Sequence, residues 1–123
     1  MPKIILFIED EQALQKTIGD RLSQEGYEII PALDGEIGLN LAKTKKPDLI
    51  VLDLILPKMN GLEVLKKLKE NKETKEIPVV ILTNLEEIEK VDKSLELGAT
   101  TYLVKANYSL EELAQKIKQF LSR

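Results

Sequence analysis

Short aliphatic runs alternate with amphipathic stretches five times along this chain, and no other feature constrains the fold as strongly. The runs are short and β-rich, whereas the stretches between them carry apolar residues near helical spacing. We predict strands at residues 3–9, 27–31, 48–53, 77–83 and 100–105. Strands that alternate with helices form right-handed βαβ units and a parallel sheet. The pattern therefore predicts an α/β fold with one doubly wound, five-stranded parallel sheet and helices on both faces.

The predicted helices have recognisable start and stop signals. The first covers residues 12–25 and ends at Gly26, the second opens at Asp34-Gly35, and the fourth covers residues 85–97 before Gly98. Capping-box spacing marks the start of the third and fifth helices, with Asn60 and Glu63 for one, and Ser109 and Glu112 for the other. The apolar stripes that we expect to face inward are Ala13, Thr17, Ile18 and Leu22; Ile37, Leu41 and Ala42; Leu62, Leu65 and Leu68; Ile88, Val91 and Leu95; and Leu110, Leu113, Ile117 and Leu121.

Composition excludes several classes of protein. The 123 residues fit a single domain, 1–123, and because Arg123 closes the last helix we expect no output domain. The chain has no cysteine and no histidine, which removes disulfides, thiolate metal sites and the commonest zinc ligand and general base. A net charge of −3 argues against direct nucleic-acid binding. The first apolar run is too short for a signal peptide or a membrane span, so we expect a cytoplasmic protein.

Polar residues stand at the carboxyl ends of four predicted strands. Glu9-Asp10 ends the first, Asp53 the third, Thr83 the fourth and Lys105 the fifth. Each has an ordinary alternative, such as a helix cap, a turn residue or a solvated lysine. Doubly wound sheets bind ligands beyond the carboxyl ends of their strands, however, and the fold brings all of these side chains to one edge.

Electrostatics narrow the chemistry of that edge. Two like charges about 4 Å apart cost roughly 1 to 4 kcal/mol, so three carboxylates against one lysine must protonate or bind a cation. Oxygen ligands without His or Cys favour Mg²⁺, Mn²⁺ or Ca²⁺, and a few carboxylates with positions left for water and phosphate favour Mg²⁺. With a metal and a lysine beside it, Asp53 stays ionised and can act as a nucleophile that forms an aspartyl phosphate.

At this point the chain resembles a known family, the receiver domain of two-component response regulators, over its whole length. The resemblance depends on several elements in the right order on the right strand ends. They are Glu9-Asp10, Asp53, the loop Pro57-Lys58-Met59-Asn60-Gly61, Thr83, Tyr102 and Lys105. It implies a CheY-like phosphoprotein of phosphorelay signal transduction, either stand-alone or excised from a longer regulator. The implied strand order is the flavodoxin-like 2-1-3-4-5.

The family resemblance also implies a role for each site residue. Asp53 would accept a phosphoryl group from a histidine kinase, a phosphotransfer protein or a small phosphodonor. Mg²⁺ would be held by Asp10 and Asp53 directly, by Glu9 partly through water, and by the backbone carbonyl of Ile55. This would be self-catalysed phosphoryl transfer with slow autodephosphorylation, rather than repeated turnover of a substrate.

The same resemblance implies a switch. Lys105 would pair with Asp53 and then with the phosphoryl oxygens, and the Thr83 hydroxyl would turn inward to bind them. Tyr102 would follow that movement and alter the surface of the fourth helix, fifth strand and fifth helix. A downstream protein target, or a second copy in a homodimer, would bind there.

Five positions depart from the family pattern or have a consequence within it. Glu9 replaces the usual aspartate, and Asn84 replaces a smaller residue beside the phosphoryl site. Ala106 replaces a proline that usually follows a cis bond. Since a cis bond before a non-proline costs roughly 2.5–4 kcal/mol, we expect a trans bond after Lys105 with a rearranged loop, or else a strained cis bond. Ile55 and Leu85, both apolar, occupy positions that influence attack by water on the phosphoaspartate, and therefore predict slow dephosphorylation.

Three other kinds of protein compete with this interpretation. A flavodoxin-type flavin carrier needs a hydroxyl- and glycine-rich loop after the first strand, where this chain has Glu9-Asp10-Glu11. A phosphatase of the dehalogenase type needs a second Asp two residues after its nucleophile, but Gln12 and Ile55 occupy the corresponding positions. The strongest rival is a degenerate receiver that acts as a phosphorylation-independent interaction module, because Glu9 and Ala106 both depart from the pattern.

Overall fold

A computed structural model describes residues 2–121 as a five-stranded parallel sheet with helices on both faces. The strands are β1 (Ile4–Ile8), β2 (Glu28–Ala32), β3 (Leu49–Asp53), β4 (Val79–Thr83) and β5 (Thr101–Val104). The α-helices are α1 (Gln12–Gln24), α2 (Gly35–Lys45), α3 (Gly61–Glu70), α4 (Val91–Glu96) and α5 (Leu110–Leu121), and two 3-10 helices cover Leu85–Lys90 and Lys105–Asn107. The strand order β2-β1-β3-β4-β5 confirms the predicted flavodoxin-like α/β fold.

The three central strands are buried on both faces, as their aliphatic composition predicted. Every residue of β3 and β4 is buried. One apolar cluster packs between the sheet and helices α2 and α3, and the other packs between the sheet and helices α1 and α5. Because helices cover both faces of these central strands, a charged side chain on one of them can reach solvent only at the end of the strand.

The prediction for the fourth helix was partly wrong. Residues 85–90 form a 3-10 helix, and only the last six of the predicted residues before Leu97 form the α-helix α4. Of the predicted stripe only Val91 is buried, whereas Ile88 and Leu95 are exposed and Ser94 lies in the core instead. With so little apolar surface to bury, packing does not enforce α-helical geometry over the first turns.

The predicted inner faces of three other helices were also partly wrong. Four further residues on them differ from expectation, since Ala13, Thr17, Ile37 and Leu110 are exposed. Helix α1 instead buries Gln15 and Gly19, and helix α2 buries Gly38 and Leu39. A Cβ on Gly38 would overlap the side chain of Ile8, so α2 contacts the sheet closely where it has no side chain. Because glycine has no side chain, a helix face that packs through glycine does not show up as a periodic pattern of hydrophobic residues in the sequence.

Candidate functional site

Asp53 is the last residue of β3 and lies almost completely buried, with 3% of its surface exposed. Its two carboxylate oxygens have different partners. Oδ1 accepts a hydrogen bond from the backbone N–H of Ile55 at 3.2 Å. Oδ2 accepts one from Nζ of Lys105 at 3.1 Å. The buried Asp53 carboxylate is therefore both compensated by a cation and held in one orientation.

Two further acids meet Asp53 at the same edge. Glu9 and Asp10 follow β1, which pairs with β3, so the ends of these neighbouring strands bring the three carboxylates together. One oxygen of each residue lies within 4.8 Å of the others. Glu9 is fully buried, while Asp10 is exposed. The predicted acidic cluster is therefore present, with Glu9 and Asp53 buried and Asp10 exposed to solvent.

The Glu9 carboxyl is in an unfavourable environment for a charge. Burial, and then the neighbouring Asp53 carboxylate, raise the pKa of Glu9 to about 8, although Lys105 opposes the shift. Its Oε2 accepts a hydrogen bond from the backbone N–H of Glu11 at 3.1 Å. Its Oε1 lies 3.0 Å from Lys105 Nζ, at ion-pair distance, but in a geometry that makes no hydrogen bond. Three carboxylates that bring oxygens within 4.8 Å of one another, with no nitrogen or sulfur ligand among them, are a donor set that fits a hard divalent cation.

Lys105 follows β5 and its ammonium reaches into the acidic cluster. Nζ lies 3.1 Å from Asp53 Oδ2 and 3.0 Å from Glu11 Oε1, in addition to its contact with Glu9. Burial lowers the pKa of Lys105, but the charges of Asp53 and Glu9 raise it more, so the net pKa lies above its ordinary value. The lysine is therefore protonated whenever the carboxylates are ionised.

The bond after Lys105 agrees with the trans alternative. Residues 2–121 contain no cis peptide bond. The loop that follows β5 instead folds into the 3-10 helix Lys105–Asn107, in which Tyr108 N–H donates to the carbonyl of Lys105. Ala106 therefore does not prevent the lysine from reaching Asp53.

Thr83 lies at the end of β4, as the sequence predicted, and Tyr102 lies within β5. Thr83 is buried at the end of β4, and its hydroxyl donates to the carbonyl of Asn84 at 3.1 Å. In this state the hydroxyl is bonded to its own strand end and not to Asp53. Tyr102 lies on β5 with 40% of its surface exposed. Their predicted movements remain predictions.

Ile55 and Leu85 lie at the surface, with 43% and 57% of their area exposed. Besides its exposed side chain, Ile55 provides the N–H that orients Asp53. Its role as a carbonyl ligand for a metal remains a prediction.

The loop after Asp53 is packed tightly against the strand end. Gly61 N–H donates to the carbonyl of Leu54 at 2.9 Å. A Cβ on Gly61 would lie 2.6 Å from Leu54 Cα and closer still to the carbonyl oxygen of Asp53. The predicted capping box is present, since Asn60 Oδ1 accepts from Glu63 N–H and its amide donates to the Glu63 side chain. Helix α3 is therefore anchored directly against the residue that carries the chemistry.

Sequence reasoning missed two residues that build the site. Glu11 contacts Lys105, although the two are separated by 94 positions in the chain. The Gln15 side-chain amide donates to the carbonyls of Phe7, Glu9 and Ala32, and so ties the ends of β1 and β2 together below Glu9. The only signal for Gln15 was a polar residue between apolar ones in a helix. For Glu11 it was a third acid in a row.

The arrangement can do specific chemistry. It presents a buried, oriented carboxylate next to two further acids that could hold a cation and to a protonated amine, which suits attack on an electrophile that carries negative charge. Within residues 2–121 no helix combines the length and apolar character needed to cross a membrane.

Comparisons with known proteins agree with this geometry. A family model described as response regulator receiver domain matches residues 5–118. The alkaline phosphatase synthesis transcriptional regulatory protein PhoP of Bacillus subtilis is 43% identical over 123 residues, which cover 100% of this chain and 50% of that protein. The chain spans about half the length of the curated relatives it matches.

Two solved structures are similar over nearly the whole chain. The Mn²⁺-bound form of response regulator Rcp1 has a TM-score of 0.83 and 34% identity, with 98% of this chain and 94% of that chain covered. The phosphorylated cyanobacterial phytochrome response regulator RcpA has a TM-score of 0.84 and 30% identity, with 98% and 91% covered.

Proposed function

Because this chain belongs to the response regulator receiver domain family, we propose that it is a phosphorylation switch whose phosphoryl acceptor is Asp53. One observation carries the proposal: carboxylate oxygens of Glu9, Asp10 and Asp53 lie within 4.8 Å of one another, and Lys105, from a third strand end, lies 3.1 Å from Asp53. A merely structural carboxylate needs one partner, and Asp53 has a lysine, a backbone N–H and two further acids around it. That RcpA is described in a phosphorylated form supports the assignment.

The chemistry is a displacement at phosphorus. An oxygen of the Asp53 carboxylate forms a bond to the phosphorus, while the bond from phosphorus to the leaving group breaks and its electron pair departs with that group. The leaving group is an imidazole nitrogen for a phosphohistidine donor, or a carboxylate for an acyl phosphate. Lys105 neutralises charge on the transferred oxygens, and the Thr83 hydroxyl would reorient to bind one of them. Receiver domains interact with histidine kinases and downstream effectors, which makes a kinase the expected phosphodonor.

The acidic cluster fits Mg²⁺. Glu9, Asp10 and Asp53 would hold the ion, because one carboxylate oxygen of each lies within 4.8 Å of the others. Bound Mg²⁺ supplies charge neutralisation of both the carboxylates and the phosphoryl oxygens. The Mn²⁺-bound form of Rcp1 supports a divalent site in a similar protein.

Phosphorylation of Asp53 can be tested directly. Incubation with acetyl phosphate and Mg²⁺ is expected to add one phosphoryl group to the wild-type protein, and peptide mapping is expected to place it on Asp53. Neither the Asp53→Asn variant nor wild-type protein in EDTA should gain the group, because one lacks the nucleophile and the other lacks charge neutralisation. Intact-protein mass spectrometry measures the outcome.

The matched control is Asp48→Asn. Asp48 lies at the other end of β3, where its Oδ2 accepts a hydrogen bond from Ile4 N–H, a bond that an asparagine oxygen can also accept. This variant should be phosphorylated like the wild type. An unmodified wild-type protein, or equal labelling of Asp53→Asn, would contradict the proposal and favour a phosphorylation-independent interaction module.

The lifetime of the phosphoryl group is expected to be long. Ile55 and Leu85 are exposed beside the site and offer no group that could orient an attacking water. The wild-type phosphoprotein should keep its label for minutes or longer in Mg²⁺, while an Ile55→Asn, Leu85→Gln double variant should lose it about tenfold faster, because a positioned polar group assists water attack. Decay of the label after removal of the donor measures this.

Ile37→Gln is the control for the lifetime experiment. Ile37 is exposed to a similar degree but lies on α2, outside the site and outside the proposed output surface, so its substitution should leave the decay unchanged. Loss of the wild-type label within seconds would contradict the prediction.

The output surface that we propose lies on α4, β5 and α5. Leu95 on α4 and Tyr102 on β5 expose apolar area there, next to the strand whose end carries Lys105. A change in Lys105 and Thr83 on phosphorylation would reach this surface through β5. A downstream protein, or a second copy of the chain, would bind to the altered surface.

A further inference from the structure

The ammonium of Lys105 has more carboxylate partners than phosphoryl transfer requires. Its Nζ hydrogen-bonds both Asp53 Oδ2 and Glu11 Oε1, and it lies 3.0 Å from Glu9 Oε1. An ammonium group has three protons. Two of them are engaged by Asp53 and Glu11, so the ammonium can move toward a phosphoryl group only by loosening one of these hydrogen bonds.

Glu11 differs from the other two partners. Glu9 and Asp53 are buried and belong to the acidic cluster that would hold a metal, whereas 57% of the Glu11 side chain is exposed and Glu11 is not part of that cluster. Its backbone N–H is fixed by the hydrogen bond to Glu9 Oε2. The Glu11 backbone is thus anchored while its carboxylate reaches across the mouth of the site to Lys105.

We propose that Glu11 is a positioning residue that holds Lys105 in the unphosphorylated protein and slows phosphoryl transfer until it releases the lysine. The proposal rests on the proposed phosphorylation of Asp53. It assigns a role to a contact that no step of the transfer uses. Glu11 is the partner that Lys105 can leave at least cost, because a half-exposed carboxylate regains water when the pair opens.

Glu11 should affect the reaction in two separable ways. Its negative charge at the open face repels an anionic phosphodonor, which raises the donor concentration needed for half-maximal rate. Its contact with Lys105 restrains the ammonium, which lowers the maximal rate. Substitutions that remove the charge and the contact separately distinguish the two effects.

The test compares Glu11→Asp with Glu11→Ala in phosphorylation by acetyl phosphate across a range of donor concentrations. Aspartate keeps the charge but is one methylene shorter on an anchored backbone, so it loses the contact with Lys105. We expect Glu11→Asp to raise the maximal rate about fivefold with the half-saturating donor concentration unchanged. Glu11→Ala should raise the maximal rate to the same extent and also lower the half-saturating concentration about threefold.

A second measurement needs no phosphodonor. Hydrogen exchange of the Lys105 ammonium, followed by nitrogen-15 NMR in the metal-free protein, is expected to become about fivefold faster in both Glu11 variants because one of its hydrogen bonds is lost. The Lys16 ammonium, paired with Asp20 on the surface of α1, should be unaffected. Glu28→Gln removes an equal charge at the start of β2, at the opposite edge of the sheet, and should change neither measurement.

The outcomes separate this inference from the proposed function. Phosphorylation of the wild type with unchanged maximal rates in both Glu11 variants would overturn the restraint alone. A lower half-saturating concentration in Glu11→Ala, without a faster maximal rate in Glu11→Asp, would reduce Glu11 to a surface charge and also overturn it. Absence of phosphorylation in every variant would overturn the proposed function together with the restraint, whatever the exchange of Lys105.

Discussion

Replacement of Lys105 by methionine is expected to lower the free energy of unfolding of the metal-free protein by about 3 kcal/mol at neutral pH. The lysine side chain is 9% exposed and compensates Asp53 and Glu9, whose side chains are 4% and 0% exposed. Methionine fills similar space but leaves two buried acids close together without a cation. Chemical denaturation measures the loss. Mg²⁺ should restore much of it, because the ion replaces the missing positive charge.

The same variant should also react poorly. Without the ammonium, the charge that develops on the transferred phosphoryl group loses one of its stabilising donors, and phosphorylation by acetyl phosphate in saturating Mg²⁺ should slow by about 10²-fold. Lys16→Met is the control, since Lys16 is exposed and pairs only across one turn of α1. A Lys105→Met protein as stable and as reactive as the wild type would show that the contacts with Asp53 and Glu9 carry neither effect.

Replacement of Gly61 by alanine is expected to cost about 3 kcal/mol of stability and to reduce phosphorylation of Asp53. The added methyl group would overlap the backbone at Asp53 and Leu54, and backbone cannot move aside as a flexible side chain can. Either α3 or the end of β3 must shift, and the shift displaces the reactive carboxylate. Thermal unfolding and the rate of phosphorylation by acetyl phosphate measure the two consequences.

Gly26→Ala provides a matched comparison. It introduces the cost of an unfavourable backbone conformation without the steric overlap that a methyl group causes at Gly61. Gly26 has a φ of +97°, but a Cβ there would meet nothing within 4 Å. Its substitution should cost only about 1 kcal/mol, from the unfavourable backbone conformation, and should leave phosphorylation unchanged. If Gly61→Ala and Gly26→Ala lost the same amount of stability and both were still phosphorylated at the wild-type rate, the close contact of Gly61 with the Asp53 strand end would be contradicted.

Much of the fold could be predicted from local patterns. The aliphatic runs identified the five strands, and their alternation with helices indicated that the strands run parallel to one another. Capping boxes located two helix starts, where Asn60 and Ser109 accept the hydrogen bonds that the pattern predicts. These signals are reliable because they depend on residues within a few positions of each other.

The faces of the helices were harder to predict. Ile37 and Leu95 lie at helical spacing yet are exposed, while Gly38 and Ser94 are buried. Small residues are buried where a helix lies closest to the sheet, and their lack of apolar surface hides this from any count of hydrophobic residues. The length of α4 was overestimated for a related reason, because it depends on how much apolar surface the helix buries against the rest of the fold.

The sequence by itself determined which residue types stand at which strand ends, and therefore that Asp53, Glu9, Asp10 and Lys105 share one edge. Only the tertiary structure decided that Glu9 is completely buried and that Lys105 also binds Glu11. The physical reason is the separation along the chain of the residues that interact. Strand and helix patterns reflect interactions between near neighbours in the chain, whereas the contact between Lys105 and Glu11 exists only because two loops from different strands pack against each other.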